Sequence, residues 1–164
     1  MSELIVRRAE KKDIDGILSL LVQVNLVHHL GRPDLFKKTV KYGPEDLEQM
    51  ILDDDAPIFV CVPAEEAEGE EHRVLGHAFC ISQTPPNAVF QDIRTLYIDD
   101  ICVDENARRL GVGRKLYEYV ENYAREKDFY NLTLNVWALN TGAKAFYDSC
   151  GMQIQKYGME KILK

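Results

Sequence analysis

Between Ile98 and Arg114 the chain reads IDDICVDENARRLGVGR, an acidic strand end followed by a basic, glycine-bearing loop. Gly111 and Gly113 carry no side chain, so the backbone there can come within hydrogen-bonding distance of an anion. The residues that follow read as a helix. Its first-turn N–H groups have no intrahelical partner, and its dipole is positive at that end. Arg108, Arg109, Arg114 and Lys115 add cations around the same few atoms, in a chain of formal net charge -7. Holding a phosphate or diphosphate is the chemistry such a loop performs. Upstream, Asp99 and Asp100 can accept a proton or attract an ammonium, and downstream Tyr147 offers a phenol that can donate one.

Two familiar phosphate motifs do not fit. A P-loop needs GxxxxGK followed by Ser or Thr, whereas Gly111 is followed by VGRKL; a dinucleotide fingerprint needs a third glycine where Leu116 stands. Arg108 to Gly113, RRLGVG, resembles instead the Q/R-x-x-G-x-G/A loop of the GNAT superfamily of N-acyltransferases. Downstream, NTGAKAFYDSCGM from Asn140 to Met152 resembles that superfamily's second signature, N-x-x-A-x-x-x-Y-x-x-x-G-F, with Met152 in place of the last aromatic. The two come in the family's order, separated by one helix and one strand. Motifs carry the resemblance from Thr95 to Leu163, and element order alone carries it from Leu4 to Gln83.

The resemblance implies an acetyl-CoA-dependent N-acetyltransferase that moves an acetyl group directly from the thioester to a primary amine of a small molecule or peptide. It implies that backbone N–H groups from Leu110 to Arg114 hold the pyrophosphate of coenzyme A, with Arg108, Arg109, Gly111, Val112 and Gly113 completing the loop. Pantetheine would pair with the strand edge at Ile101, Cys102 and Val103 and touch Asn140. Asp99 or Asp100 would serve as base or as the head of a water chain, and Tyr147 as general acid near the sulfur. An aspartate of ordinary pKa, about 4, is a poor base at neutral pH, so water relay or attraction of the ammonium is expected. A phenol at about 10 protonating a thiolate at about 8.5 runs uphill by about 2 kcal/mol, so Tyr147 is expected to act by hydrogen-bonding the developing thiolate. Alternation along a strand puts Asp99 and Asp100 on opposite faces, leaving open which one faces the acceptor. A non-catalytic acyl-CoA-binding module on the same fold is the alternative; it would need the loop but neither Tyr147 nor the carboxylates.

The elements that must position these groups follow from periodicity. Leu4 to Arg8 alternates as a strand, and Asp13 opens a helix carrying Ile14, Ile17, Leu18, Leu21, Val22 and Val24 to the Gly31-Arg32-Pro33 breaker. Pro44-Glu45-Asp46 opens a second helix that turns Leu47, Met50 and Ile51 inward, and Asp53-Asp54-Asp55 ends it. Strands are expected at Ile58 to Val62, Val74 to Ser82 and Arg94 to Val103, with Gly76 marking a close backbone approach and Ala64 to Glu71 a solvated acidic loop. The helix from Gly111 keeps Val112, Leu116, Tyr119, Val120 and Tyr123 on one stripe. Asn131 to Trp137 reads as a strand, Asn140 caps a last helix that Gly151 ends, and Met152 to Tyr157 and Met159 to Leu163 read as two closing strands. The order is βααβββαβαββ, one α/β (α+β) domain over residues 1–164. The GNAT resemblance adds a central, mixed, mostly antiparallel sheet flanked by helices.

Composition sets the remaining expectations. At 164 residues, 46% hydrophobic and 29% charged, the chain suits one globular domain. No run approaches the ~18 apolar residues of a membrane span, and the start lacks a signal peptide's pattern, so the cytoplasm is the expected compartment. Cys61, Cys80, Cys102 and Cys150 are scattered, without a CxxC pair or a histidine at ligand spacing, and so read as reduced thiols rather than a zinc site. The acidic balance argues against nucleic acid and suits a cationic acceptor, a small polycation above all. Acceptor contacts are sought after the first helix, at His28, His29, Asp34, Phe36 and Tyr42. Pro85 to Phe90 is a candidate homodimer contact.

Overall fold

The computed structural model describes residues 2–66 and 68–164, in which five strands form one sheet in chain order. β1 (Leu4–Arg8), β2 (Ile58–Pro63), β3 (Gly76–Gln83) and β4 (Thr95–Val103) pair antiparallel, while β5 (Asn131–Leu134) pairs parallel to β4. A parallel neighbour needs a crossover, and α3 (Val112–Glu126) supplies it. Helices α1 (Ile14–Gly31) and α2 (Pro44–Met50) lie between β1 and β2, and α4 (Thr141–Ser149) follows β5. The fold is the mixed α/β sheet with flanking helices that the sequence predicts.

Both faces of the sheet are covered. Phe59 and Cys61 of β2, Ala78 and Cys80 of β3, and Leu96 and Ile98 of β4 pack with Val112, Leu116, Tyr117, Val120 and Ala124 of α3. The alternate residues Ile58, Val60, Val62 and Phe79 pack with Ile14, Ile17, Leu20 and Leu21 of α1 and Leu47 of α2. A strand buried on both faces reads as an unbroken apolar run, which is why IFVCV shows no alternation. The buried stripe of α3 contains Tyr117 rather than Tyr119. The rings of Tyr119 and Tyr123 instead meet Phe59, each at a centroid distance of 5.1 Å. Gly76 makes the close approach expected of it: a Cβ there would lie 2.7 Å from Val112 Cγ1 and 2.9 Å from the Cys102 carbonyl oxygen.

Three expectations are corrected. Residues 152–164 form no strand, so the order ends after α4, and Ile154, Tyr157, Met159, Ile162 and Leu163 are exposed. Apolar residues in an extended segment resemble a strand in sequence, but a strand also needs a hydrogen-bonded neighbour. β5 stops at Leu134 instead of Trp137, because its pairing with β4 ends at Ile98 opposite Leu134; the chain turns only after Trp137, with Asn140 N–H donating to the Trp137 carbonyl at 2.8 Å. Lys11–Gly31 is, by length and composition, long and apolar enough to cross a membrane, although no unbroken apolar run marks it. Its inner side, Ile14, Ile17, Leu20 and Leu21, is buried in the core beneath α1.

The acidic loop after β2 includes Ala67, which lies outside the described residues. The loop is tied by polar contacts: His72 bridges Glu66 and the fully buried Asp13, with Nε2 2.5 Å from Asp13 Oδ1. Cys61, Cys80 and Cys102 are buried free thiols; burial pushes them up to about 11, about 12 and about 12.

Candidate active site

The two carboxylates are placed by a bulge. Phe79 pairs with Asp100 and Cys80 pairs with Ile98, so Asp99 is an extra residue in β4 with no partner on β3. Ile98 and Ile101 consequently both pack toward α3, and strict alternation fails between them. Asp99 and Asp100 meet groups on the α1–α2 side. Asp99 Oδ2 accepts from Lys41 Nζ at 2.9 Å, and Asp100 Oδ2 lies 2.7 Å from His77 Nε2. Lys41 adjoins Tyr42, whose ring stacks on Phe79 at 6.0 Å, and His77 meets the same Phe79 edge-on at 4.8 Å. The carboxylates therefore share a face, which corrects the expectation that they oppose each other. Withdrawal of Lys41 from solvent is the largest single influence and works against its charge, but the hydrogen bonds and charges of Asp99 and Tyr42 together outweigh it and lift the ammonium to about 12.

The glycine loop has the backbone that an anion cradle requires. Arg109 and Gly111 adopt positive φ, 67° and 78°, and α3 begins at Val112. Bonding from helix to loop starts with Lys115 N–H to the Gly111 carbonyl at 3.0 Å, which leaves the earlier amides of Val112, Gly113 and Arg114 at the open helix end. Arg108, Arg109 and Leu110 are exposed. Among the described residues Arg108 and Arg109 make no ion pair. Arg114 instead turns to α4, donating to Ser149 Oγ at 2.9 Å and lying 5.9 Å from the Phe146 ring.

β4 and β5 pair only over Thr95–Ile98 and Asn131–Leu134. Beyond Ile98, β4 runs on to Val103 while β5 ends, so the strands part toward the loop. A cleft of about 170 Å³ opens there, lined by Ile101, Cys102, Val103, Arg108 and Asn140, with Gln23, Val24, Val27 and His28 of α1 forming its far wall. Asn140 is held by its own helix, its Oδ1 accepting from Ala143 N–H at 3.1 Å. The parted strands, the cleft and the open helix end suit a long ligand with an amide-bearing arm and an anionic middle.

A family model, Acetyltransferase (GNAT) family, matches residues 24–152, a range that takes in α2 to α4 and every lining residue of the cleft except Gln23. The chain belongs to the GNAT acetyltransferase family. No curated protein matches the sequence. Among solved structures, a mutant of the BH1408 protein from Bacillus halodurans is 30% identical, covering 98% of this chain and 99% of that one, with a TM-score of 0.87. The GNAT fold is shared more distantly with glucosamine-6-phosphate N-acetyltransferase from Arabidopsis thaliana, at 20% identity, 99% of each chain and TM-score 0.69. It is also shared with an aminoglycoside acetyltransferase from an uncultured soil metagenomic sample, at 20% identity, 98% and 97% of the two chains and TM-score 0.67.

Of the residues that the GNAT motifs single out, Ile101, Cys102, Val103, Arg108 and Asn140 converge on the cleft, while Asp99, Asp100 and Tyr147 stand outside its lining. Tyr147 is two helical turns from Asn140 on α4 and packs beside Tyr117 and Phe146, with centroids 6.4 Å and 5.2 Å away. Burial, with the Asp100 carboxylate adding to it, pushes the phenol far above its ordinary range. His28 stacks on Phe36 at 5.0 Å, Phe36 meets Trp137 edge-on at 5.3 Å, and His29 Nδ1 lies 2.7 Å from the Phe36 carbonyl oxygen. Asp34 is engaged by Arg32. Sequence reading missed His77 and Lys41; a lone histidine in the apolar run LGHAFCI, laid against an acidic strand, was the available signal for the first.

Proposed function

We propose that this GNAT protein is an N-acetyltransferase that uses acetyl-CoA as donor and a primary amine as acceptor. The observation that carries the reading is the convergence of Ile101, Cys102, Val103, Arg108 and Asn140 on one cleft at the parting of β4 and β5, beside the open amides of α3. In this reading the Val112, Gly113 and Arg114 amides and the Arg108 and Arg109 guanidiniums hold the diphosphate. The freed edge of β4 and the Asn140 side chain hold the pantetheine amides. Acetyl-CoA supplies an activated acyl group when bound, and the chain's own residues orient it and manage protons.

An acceptor amine arrives as an ammonium and must lose a proton. Asp100 takes that role, directly or through one water. Its charge is felt at Tyr147, whereas Asp99 is occupied by Lys41. Tyr147, kept neutral by burial, donates a hydrogen bond to the departing thiolate while keeping its own proton, and the thiolate takes its proton from solvent. We also propose that two copies pair, supported by the exposed Val89 and Phe90 and by the exposed apolar tail beyond α4. Sedimentation at micromolar concentration tests this, a dimer mass being expected and a monomer mass counting against it.

Thiol release from acetyl-CoA over a panel of polyamines, amino sugars, amino acids and peptides tests the activity. Release matched by acetylated amine is expected. Silence across the panel with tight acetyl-CoA binding would make the protein an acyl-CoA-binding module instead.

A further inference from the structure

Two polar side chains among the described residues, Asp13 and His77, are fully buried and unused by the mechanism above, and of the two His77 lies against Asp100. Its side chain is fully inaccessible, its Nε2 lies 2.7 Å from Asp100 Oδ2, and its Nδ1 is buried with no hydrogen-bond partner. β3 and β4 create this pairing through their register. His77 faces Cys102, Phe79 faces Asp100, and the bulge at Asp99 brings the carboxylate onto the imidazole's side of the sheet. A buried nitrogen without a partner is costlier as an N–H donor than as a bare lone pair, and a carboxylate oxygen wants a donor. Both demands select one form, neutral imidazole with its hydrogen on Nε2.

We propose that His77 is the positioning residue for Asp100: its Nε2–H fixes Oδ2 and leaves Oδ1 as the oxygen that takes the proton of the acceptor's ammonium. The proposal rests on Asp100 being the proton acceptor. The proton moves from the substrate nitrogen to Oδ1, or to a water bound there, while the His77 hydrogen stays on Nε2. Rigid support comes from Phe79, edge-on to the imidazole at 4.8 Å, and from Cys102, whose Sγ donates to the Leu20 carbonyl of α1 at 3.5 Å. The charged and titratable groups around the pair are Asp99 with its Lys41, Cys102 on β4, and Tyr147 from α4. A glycine or alanine at 77 would leave the carboxylate on a bulged strand without a fixed rotamer, the kind of small misplacement that costs rate rather than binding.

The test compares His77→Leu, His77→Gln and Asp100→Asn in steady-state kinetics against pH. Leucine keeps the volume and removes the donor; glutamine places an N–H near the Nε2 position. Expected for His77→Leu are a kcat at least tenfold lower, an unchanged KM for acetyl-CoA, and an acidic limb of the rate profile moved to higher pH, because the carboxylate has lost its donor. Glutamine should recover most of the rate. The double variant His77→Leu/Asp100→Asn should be no slower than Asp100→Asn alone. A wild-type rate and profile for His77→Leu, alongside a slow Asp100→Asn, overturns the role of His77. So does a glutamine variant as slow as the leucine one. A wild-type rate for Asp100→Asn overturns the underlying assignment of Asp100 instead. Should the leucine variant not fold, nitrogen NMR of the wild-type imidazole decides: hydrogen on Nε2 supports the proposal, and hydrogen on Nδ1 contradicts it.

Discussion

Lys41 Nζ stands 2.9 Å from Asp99 Oδ2, so the first of the two adjacent carboxylates is already neutralised by the chain itself. Lys41 lies in the segment before α2 and its side chain is largely exposed, so this ion pair is one that a competing ammonium can displace. Lys41→Ala is expected to lower KM for a polyamine acceptor by about threefold and to leave kcat near its original value, whereas Asp99→Asn should raise that KM. Initial rates over a range of spermidine concentrations measure both. An increase in KM for Lys41→Ala would mean that the lysine serves the acceptor rather than competing with it.

Tyr147→Phe removes only the hydroxyl. The ring's packing against Tyr117 and Phe146 is kept, so the variant should fold normally. Its kcat is expected to fall by about tenfold or more, with little change in acetyl-CoA affinity. The raised pKa keeps the phenol protonated well past its ordinary value of 10, so the wild type should show no alkaline loss from this group at or below about pH 10. Rates from pH 6 to 10 on both proteins check this, and an unchanged rate in the variant removes Tyr147 from the mechanism.

Gly111 and Gly113 should respond differently to alanine. At Gly111, with φ 78°, a Cβ meets nothing within 4 Å but the conformation itself is left-handed, so Gly111→Ala should cost about 1 kcal/mol. At Gly113 a Cβ finds ordinary contacts of 3.6 Å with Phe146 and Val103, so alanine should be tolerated within about 0.5 kcal/mol. Urea unfolding midpoints separate the two.

Acid stability should track Asp13. Burial raises its carboxyl, but two bonds from Arg7 at 2.7 and 3.0 Å, the Glu10 amide at 2.7 Å and His72 outweigh that and hold it below its ordinary 3.8. A depressed folded value means stabilisation that is complete above the unfolded pKa of about 3.9 and lost as pH falls through the folded one. Asp13→Asn should cost about 3 kcal/mol at pH 7, since it leaves Arg7 without its partner, and should flatten the decline in melting temperature below about pH 4. Melting curves from pH 2 to 7 give both quantities; equal acid slopes would exclude Asp13.

Local signals were the legible ones. Gly111 needs a left-handed backbone, Asn140 caps its helix with its own side chain, and Gly76 yields to Val112, so each residue type announces its place. The bulge at Asp99 was not legible, because it exists only in the register between β3 and β4, and nothing within IDDICV differs from a regular strand. His77 was hidden for the same reason: its partner lies 23 residues away and is brought opposite by that register. The tail misled in the other direction. MQIQKYGMEKIL has the composition of strands, yet the neighbour that would make it one is not supplied by β5.

The central claim, that the loop before α3 holds the diphosphate of acetyl-CoA, is tested most directly by calorimetric titration of acetyl-CoA into the wild type and Arg108→Glu. Arg108 lines the cleft and is exposed, so reversing its charge should leave folding intact. Arg125→Glu, at the far end of the α3 helix that the loop leads into and paired there with Glu121, serves as control. One site per chain is predicted, at least about tenfold weaker in Arg108→Glu and unchanged in the control. No heat from the wild type, or equal affinity in Arg108→Glu, would contradict it.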